Sequence, residues 1–266
     1  MKKNSQMSTL ISEGKCLYCH KTFKKSGISR HLNTHLLEKT KSGKPGKSFH
    51  IKVELHPKWG VGPYFLNLWV DGNSTMEQID SFLRSIWLEC CGHMSAFKNP
   101  ALRSRTGLWD FFETEELLAK GKIKEYEKQM EAANGEVPMS RKTKDALCEG
   151  LKLSYEYDFG STTELQLTVI SEFPIKAEDE IVLLSRNEPL PILCDTCGKK
   201  AATQLCGVCM GNEEAAFCDA CAKKHAKTCS DFAEYAAMKV VNSPRMGVCA
   251  YEGGIIDLER DGVFKQ

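Results

Sequence analysis

Between Cys194 and Cys229 the chain reads C-D-T-C, eight residues, C-G-V-C, eight residues, C-D-A-C, then His225 and Cys229 at four-residue steps. Large apolar side chains are scarce here, chiefly Leu205, Val208 and Phe217, with Leu193 just before. A segment this poor in apolar residues cannot close a core on its own. A C-x-x-C pair bends into a knuckle whose two sulfurs can share one tetrahedral ion, and Zn²⁺ favours four N/S ligands. Cys194, Cys197, Cys206, Cys209, Cys218, Cys221, His225 and Cys229 supply two complete sets. The expectation is a two-zinc module over 191–232.

Two pairings satisfy this spacing. A cross-brace gives Cys194, Cys197, Cys218 and Cys221 one ion, and Cys206, Cys209, His225 and Cys229 the other. The sequential alternative joins the first knuckle to the second and the third to His225 and Cys229. The order of knuckles resembles the MYND and HIT-type fingers, which implies the cross-brace. Disulfides are the competing reading. Met1–Ser12 is polar and lacks the apolar run of about 7–15 residues that marks a secretory signal. The expected location is therefore cytoplasmic, where thiols stay reduced and bind metal.

No apolar run approaches the ~20 residues of a membrane span, so no membrane partner is expected. At 266 residues and net charge +1, the chain suits a soluble protein of roughly two domains. Charge is uneven. Residues 1–48 hold eleven Lys/Arg against Glu13 and Glu38, an excess that fits contact with DNA or RNA phosphates.

Within this basic region (1–37), Cys16 and Cys19 precede His31 and His35 in the pattern C-x2-C-x11-H-x3-H. A two-Cys, two-His finger sets its knuckle on a hairpin and its histidines one helical turn apart. Phe23 and Ile28 fall where its small core belongs. Cys16–His20 also spells the haem-attachment pattern C-x-x-C-H, but that reading needs export and leaves His31 and His35 unexplained. A redox C-x-x-C lacks a βαβ setting. A third zinc is expected here, making about three per chain. The base-reading positions would be Lys24, Gly27 and Arg30, with Lys21, Lys24, Lys25 and Arg30 facing nucleic acid. One finger spans only about 3 bp, so nonspecific contact is the expectation.

Residues 38–48 are rich in Gly, Lys and Ser and read as a flexible linker that leaves the finger free to swing. Residues 49–190 then read as an α+β domain, a central antiparallel or mixed sheet with packed helices, flanked by the small zinc-binding modules. Alternation predicts strands at Phe49–His56 and Tyr64–Val70, the second apolar on both faces because of Phe65 and Trp69. A capping box at Ser74/Glu77 or Thr75/Gln78 opens a helix with Met76, Ile79, Leu83, Ile86 and Cys90 along one side. Further strands are predicted at Ala96-Phe97, Leu151–Phe159, Leu165–Val169 and Ile181–Leu184. A helical insertion is predicted over 105–150, with helices at Leu108–Ala119, Ile123–Ala133 and Ser140–Glu149.

At Tyr155-Glu-Tyr-Asp-Phe-Gly160, following strand, strand and helix, the chain resembles the Ri-plasmid "ORF three"-like family, also described as transposon passenger proteins. The tail Val240–Gly254, containing Asn-Ser-Pro-Arg-Met-Gly-Val-Cys, resembles that of the family's zinc-carrying members. The resemblance implies an α+β domain over residues 49–254 and no firmly established activity. Where the family continues with an acid, Trp and His, this chain has Ser161, Thr163 and Leu165.

The remaining polar candidates are few. Asp158 and Glu164 are the only carboxylates placed for a catalytic site in the α+β domain, and Asp158 also suits a turn cap. His56 and His93 read as isolated, and Cys90, Cys91 and Cys148 as small core residues. Cys249 lies in the tail (233–266) without a partner knuckle, and Asn242 and Arg245 suit either a partner contact or packing of the tail. No P-loop, G-x-G-x-x-G or Ser/His/Asp set is present. The leading expectation is a non-catalytic zinc protein whose basic finger touches nucleic acid and whose C-terminal module docks protein partners. The alternatives are an enzyme at Asp158 and Glu164, and redox sensing through zinc thiolates.

Overall fold

A computed structural model of the protein describes residues 12–59, 62–101, 115–117, 119–126, 129, 135–210 and 214–264. A hairpin, β1 (Glu13–Lys15) and β2 (Thr22–Lys24), leads into helix α1 (Lys25–Lys39). Strands β3 (Pro45–Leu55) and β4 (Phe65–Asp71) follow, then α2 (Met76–Leu83), β5 (Ser95–Lys98) and β6 (Glu136–Val137). The short helix α3 (Thr143–Ala146) precedes β7 (Lys152–Tyr157), β8 (Thr163–Ile175) and β9 (Ile181–Arg186). These strands form one antiparallel sheet of seven in the order β6-β5-β7-β8-β3-β4-β9. The fold is α+β.

The period-two pattern decides what each face of the sheet meets. Phe49, Ile51, Val53, Leu66, Leu68, Val70, Leu153, Tyr155 and Leu167 pack with α2 residues Met76, Ile79 and Leu83 in the main core. Helix α2 opens with the Thr75/Gln78 capping box, each side chain bonding the other's backbone N–H. The opposite face carries Phe65, Trp69, Phe173, Ile175 and Leu184, and α1 lays Ile28, Leu32 and Leu36 against them. Strand β4 is thus covered on both sides, as Phe65 and Trp69 predicted.

That packing corrects the swinging finger. The stretch 38–48 holds the end of α1, a turn and the first residues of β3. Ser48 is fully buried and accepts a hydrogen bond from the Trp69 indole at 2.8 Å. Local composition reads as coil, but β4 and β8 supply backbone partners that draw 45–48 into the sheet.

Of the expected insertion, 105–114, 118, 127–128 and 130–134 lie outside the described residues. Among those described, 115–117, 119, 123–126 and 129 are helical, and Ser140–Glu149 contracts to α3. Cys148, expected in a core, is exposed. No helix among the described residues is long and apolar enough to cross a membrane.

The C-terminal module contributes a three-stranded sheet, β11-β10-β12, from β10 (Gln204–Cys206), β11 (Ala216–Phe217) and β12 (Ala237–Lys239). Helix α4 (Asp219–His225) follows β11. The tail then returns to the α+β domain and ends in α5 (Leu258–Asp261). It docks where α2 widens into a π-type turn over Arg84–Leu88. The Ser243 hydroxyl donates to the Trp87 carbonyl at 2.6 Å, and the Ile255 N–H donates to the Ser85 carbonyl at 2.8 Å. A Cβ built on Gly254 would lie 2.4 Å from the Ile86 carbonyl oxygen, so only glycine permits this approach. Fully buried Arg186 ties Asp261 (2.6 Å) and the Asn242 carbonyl (2.6 Å) to β9. Arg245, also fully buried, bonds Asp158 at 2.7 Å, so Asn242 and Arg245 both serve the packing of the tail.

Candidate metal centres

Three of the groups read from spacing assemble in space. Cys16, Cys19, His31 and His35 place their ligand atoms within 4.8 Å of one another. The hairpin carries the thiols and α1 the imidazoles. Cys19 Sγ lies 3.2 Å from His31 Nε2, which lies 3.2 Å from His35 Nε2. The C-terminal residues divide as a cross-brace: Cys194, Cys197, Cys218 and Cys221 form one group, Cys206, Cys209, His225 and Cys229 the other. Contacts of 4.0 Å for Cys197–Cys218, 4.0 Å for Cys206–Cys229 and 3.7 Å for Cys209–His225 span each group. The sequential pairing does not form.

Local chain geometry makes these sites. In the first finger the His20 N–H donates to the Cys16 carbonyl at 2.8 Å, with His20 at φ 60°. At the first C-terminal knuckle the Gly198 N–H donates to the Cys194 carbonyl at 2.8 Å, with Gly198 at φ 63°. Both turns thus put the residue after the second cysteine in the left-handed region. The third knuckle differs, because Cys218 and Cys221 open α4 and helical spacing brings their sulfurs together. Each helix also stacks a histidine on a phenylalanine eight residues earlier, Phe23 on His31 at 4.0 Å and Phe217 on His225 at 4.3 Å. These rings fix the imidazole planes.

Crowded thiols change their own acidity. Burial, then the neighbouring Cys194 and Cys218 thiols, push Cys221 up to about 12. Contact with Cys206, then burial, pushes Cys209 up to about 11. Thiolates this close repel one another, and a divalent cation among them reverses the sign of that interaction. Backbone N–H groups of Lys199 and Lys200 hold Cys197 down to about 6.

A fourth group was missed by the spacing argument: Cys90, Cys91, His93 and Cys249 bring their ligand atoms within 4.8 Å of one another. The first three follow α2 and its wide turn, and the fourth comes from the tail. Cys91 is exposed rather than a core residue, Cys90 is partly buried against the main core, and His93 is not isolated. Three metal-ligating side chains within Cys90-Cys91-Gly92-His93 were a local signal. Their partner is 156 residues from His93.

The expected carboxylate site does not come together. Asp158, at φ 64°, accepts from the Gly160 and Ser161 N–H groups at 3.0 and 3.2 Å, which makes it a turn cap. Its other oxygen meets Arg245 at 2.7 Å, and this guanidinium is the main reason the carboxyl sits down at about 2. Glu164 instead pairs with Lys58 and approaches His56 at 3.6 Å. Of the residues expected to face nucleic acid, Lys21, Lys24 and Arg30 are exposed. Lys25 bonds the Gly62 carbonyl at 2.7 Å and Glu54 at 2.8 Å.

No family model matches the chain, and no curated protein matches it. One solved structure that matches is a protein of unknown function from Methanosarcina mazei Go1. It is 16% identical, spans 52% of this chain and 67% of its own, and has a TM-score of 0.34.

Proposed function

We propose that the chain is a zinc-dependent interaction protein whose ions are structural. The observation that carries this reading is the convergence of three complete four-residue Cys/His groups. A tetrahedral zinc with Zn–S of about 2.3 Å and Zn–N of about 2.0 Å sets its ligand atoms roughly 3.3–3.8 Å apart. The contacts of 3.2–4.0 Å within these groups suit that ion. Four protein ligands per ion leave no position for a reacting water, the pattern of a structural site.

In this reading the α+β domain is the rigid body. The C-terminal module docks protein partners, and Val208, Met210 and Tyr235, exposed on it, support that role. Lys21, Lys24 and Arg30 meet nucleic-acid phosphates nonspecifically, and the chain is related to the ORF-three-like proteins of mobile elements. The reading places the protein in the cytoplasm. Catalysis at Asp158 and Glu164 has less support, because each carboxylate is engaged by a different cation.

Metal analysis of unchelated protein tests the central claim: at least three zinc ions per chain are expected, and one or fewer overturns it. A DNA and RNA pulldown at low and physiological salt, with Lys21, Lys24 and Arg30 changed together to Gln, tests the nucleic-acid part. Equal binding by the variant overturns that part.

A further inference from the structure

The Cys90, Cys91, His93 and Cys249 group stands apart from the other three because it joins two distant segments. Cys90 Sγ lies 3.7 Å from Cys91 Sγ, and Cys91 Sγ lies 3.6 Å from Cys249 Sγ. His93 Nε2 is 2.9 Å from Cys91 Sγ and 3.3 Å from Cys249 Sγ. The sulfur separations are far beyond the ~2.05 Å of a disulfide and match the edges of a tetrahedron around zinc, about 3.8 Å between sulfurs.

The surroundings are built for a charged centre. Three thiolates around one Zn²⁺ leave a net negative charge, and the fully buried Arg245 guanidinium lies 3.5 Å from Cys90 Sγ. Arg245 is itself held by Asp158 at 2.7 Å and lies over the Tyr157 ring, 4.7 Å from its centroid. The turn that carries the ligands is pinned by Glu89, which accepts from the Gly92 N–H and is paired with Arg84 at 2.8 Å. On the tail, Cys249 and Ala250 hold consecutive φ values of 51° and 53°. Non-glycine residues rarely adopt the left-handed region, and two in succession need something to hold them there.

We propose that Cys90, Cys91, His93 and Cys249 bind a fourth zinc ion that locks the C-terminal tail onto the α+β domain. The proposal rests on the reading that Cys/His groups in this chain take zinc. Cys91 and Cys249 are exposed, so this ion exchanges faster than the three in the fingers. Removing it frees residues 246–256 while leaving the fingers loaded.

The test is zinc stoichiometry of anaerobically purified full chain, wild type against Cys249→Ser, His93→Ala and His93→Cys. Four ions are expected in the wild type, three in the first two variants and four in His93→Cys. Peptide-level hydrogen exchange should show residues 246–256 exchanging at least tenfold faster in Cys249→Ser than in wild type. Three ions in every protein overturn the fourth site while leaving the finger reading intact. One ion or none in the wild type sinks both. A Cys91–Cys249 disulfide found by peptide mapping also overturns the proposal. If Cys249→Ser does not fold, the His93→Ala and His93→Cys pair decides alone: three ions against four supports the site, and equal counts overturn it.

Discussion

The N-terminal finger and the C-terminal module use the same ligands to different ends. The finger lays Ile28, Leu32 and Leu36 on Phe65, Trp69 and Phe173 of the sheet, so a core larger than its own holds it. The module packs Phe217 and Phe232 around its own cysteines and Ala222. One is a helix borrowed by a sheet, with a single Cys/His group beside it. The other has two Cys/His groups where a core would be. The difference teaches that a Cys/His spacing announces a gathered group of side chains without announcing how much of the fold depends on it.

The largest expected effect breaks the comparison at its root. Cys206→Ser removes a ligand from a site whose zinc is worth about 10–16 kcal/mol to a small finger. Loss of amide protection throughout 194–240 is expected, with the seven-stranded sheet retained; hydrogen exchange reads both. Cys16→Ser should leave α1 protected, since the sheet still covers it. A Cys16→Ser protein whose α1 exchanges freely would erase the distinction.

Next in size is Leu32→Ala. Truncating a fully buried leucine between α1 and the sheet should cost about 2–5 kcal/mol in denaturant unfolding. A cost below 1 kcal/mol would mean that the finger is held by its metal alone.

His50 offers a pH lever on the same interface. It is fully buried, with Nδ1 2.6 Å from the Asn33 side-chain oxygen on α1 and Nε2 2.9 Å from that of Asn67 on β4. Burial pushes its imidazole down to about 4 from an ordinary 6.5. Between these values the unfolded chain binds a proton that the folded chain does not, so stability falls as pH drops from 6.5 towards 4. The loss is on the order of 3 kcal/mol. Urea unfolding across this range should be less steep in pH for His50→Gln than for wild type, and parallel curves would exclude His50 as the cause.

The smallest effect sharpens the comparison most. Phe23→Leu and Phe217→Leu each remove a ring stacked on a ligand histidine, worth about 1 kcal/mol. Zinc competition with a chelator should weaken more in Phe217→Leu, whose cluster includes no residue of the seven-stranded sheet. Equal weakening would argue that both sites are local.

Much of this was legible because it is local. Knuckle spacing, the alternation of Phe49–Val53, the capping residues at Thr75 and Gln78 and the two-sided Phe65–Trp69 strand each report over a few residues. What escaped is long-range. Lys44–Ser48 reads as coil until Ile175 and Phe173 of β8 pair with it. Cys249 has no partner within its own segment, and Cys90 and Cys91 sit in a helical pattern that ends just before them. Metal ligands gathered from distant parts of a chain leave no period to detect.

The wide turn at Arg84–Leu88 has a consequence for how the protein is made. Its Ser85 and Trp87 carbonyls find their partners in Ile255 and Ser243. During synthesis those residues emerge more than 150 positions after the turn. The sheet, α2 and both fingers can therefore assemble around an open socket. The α+β domain is complete only when its last-made segment arrives to close it.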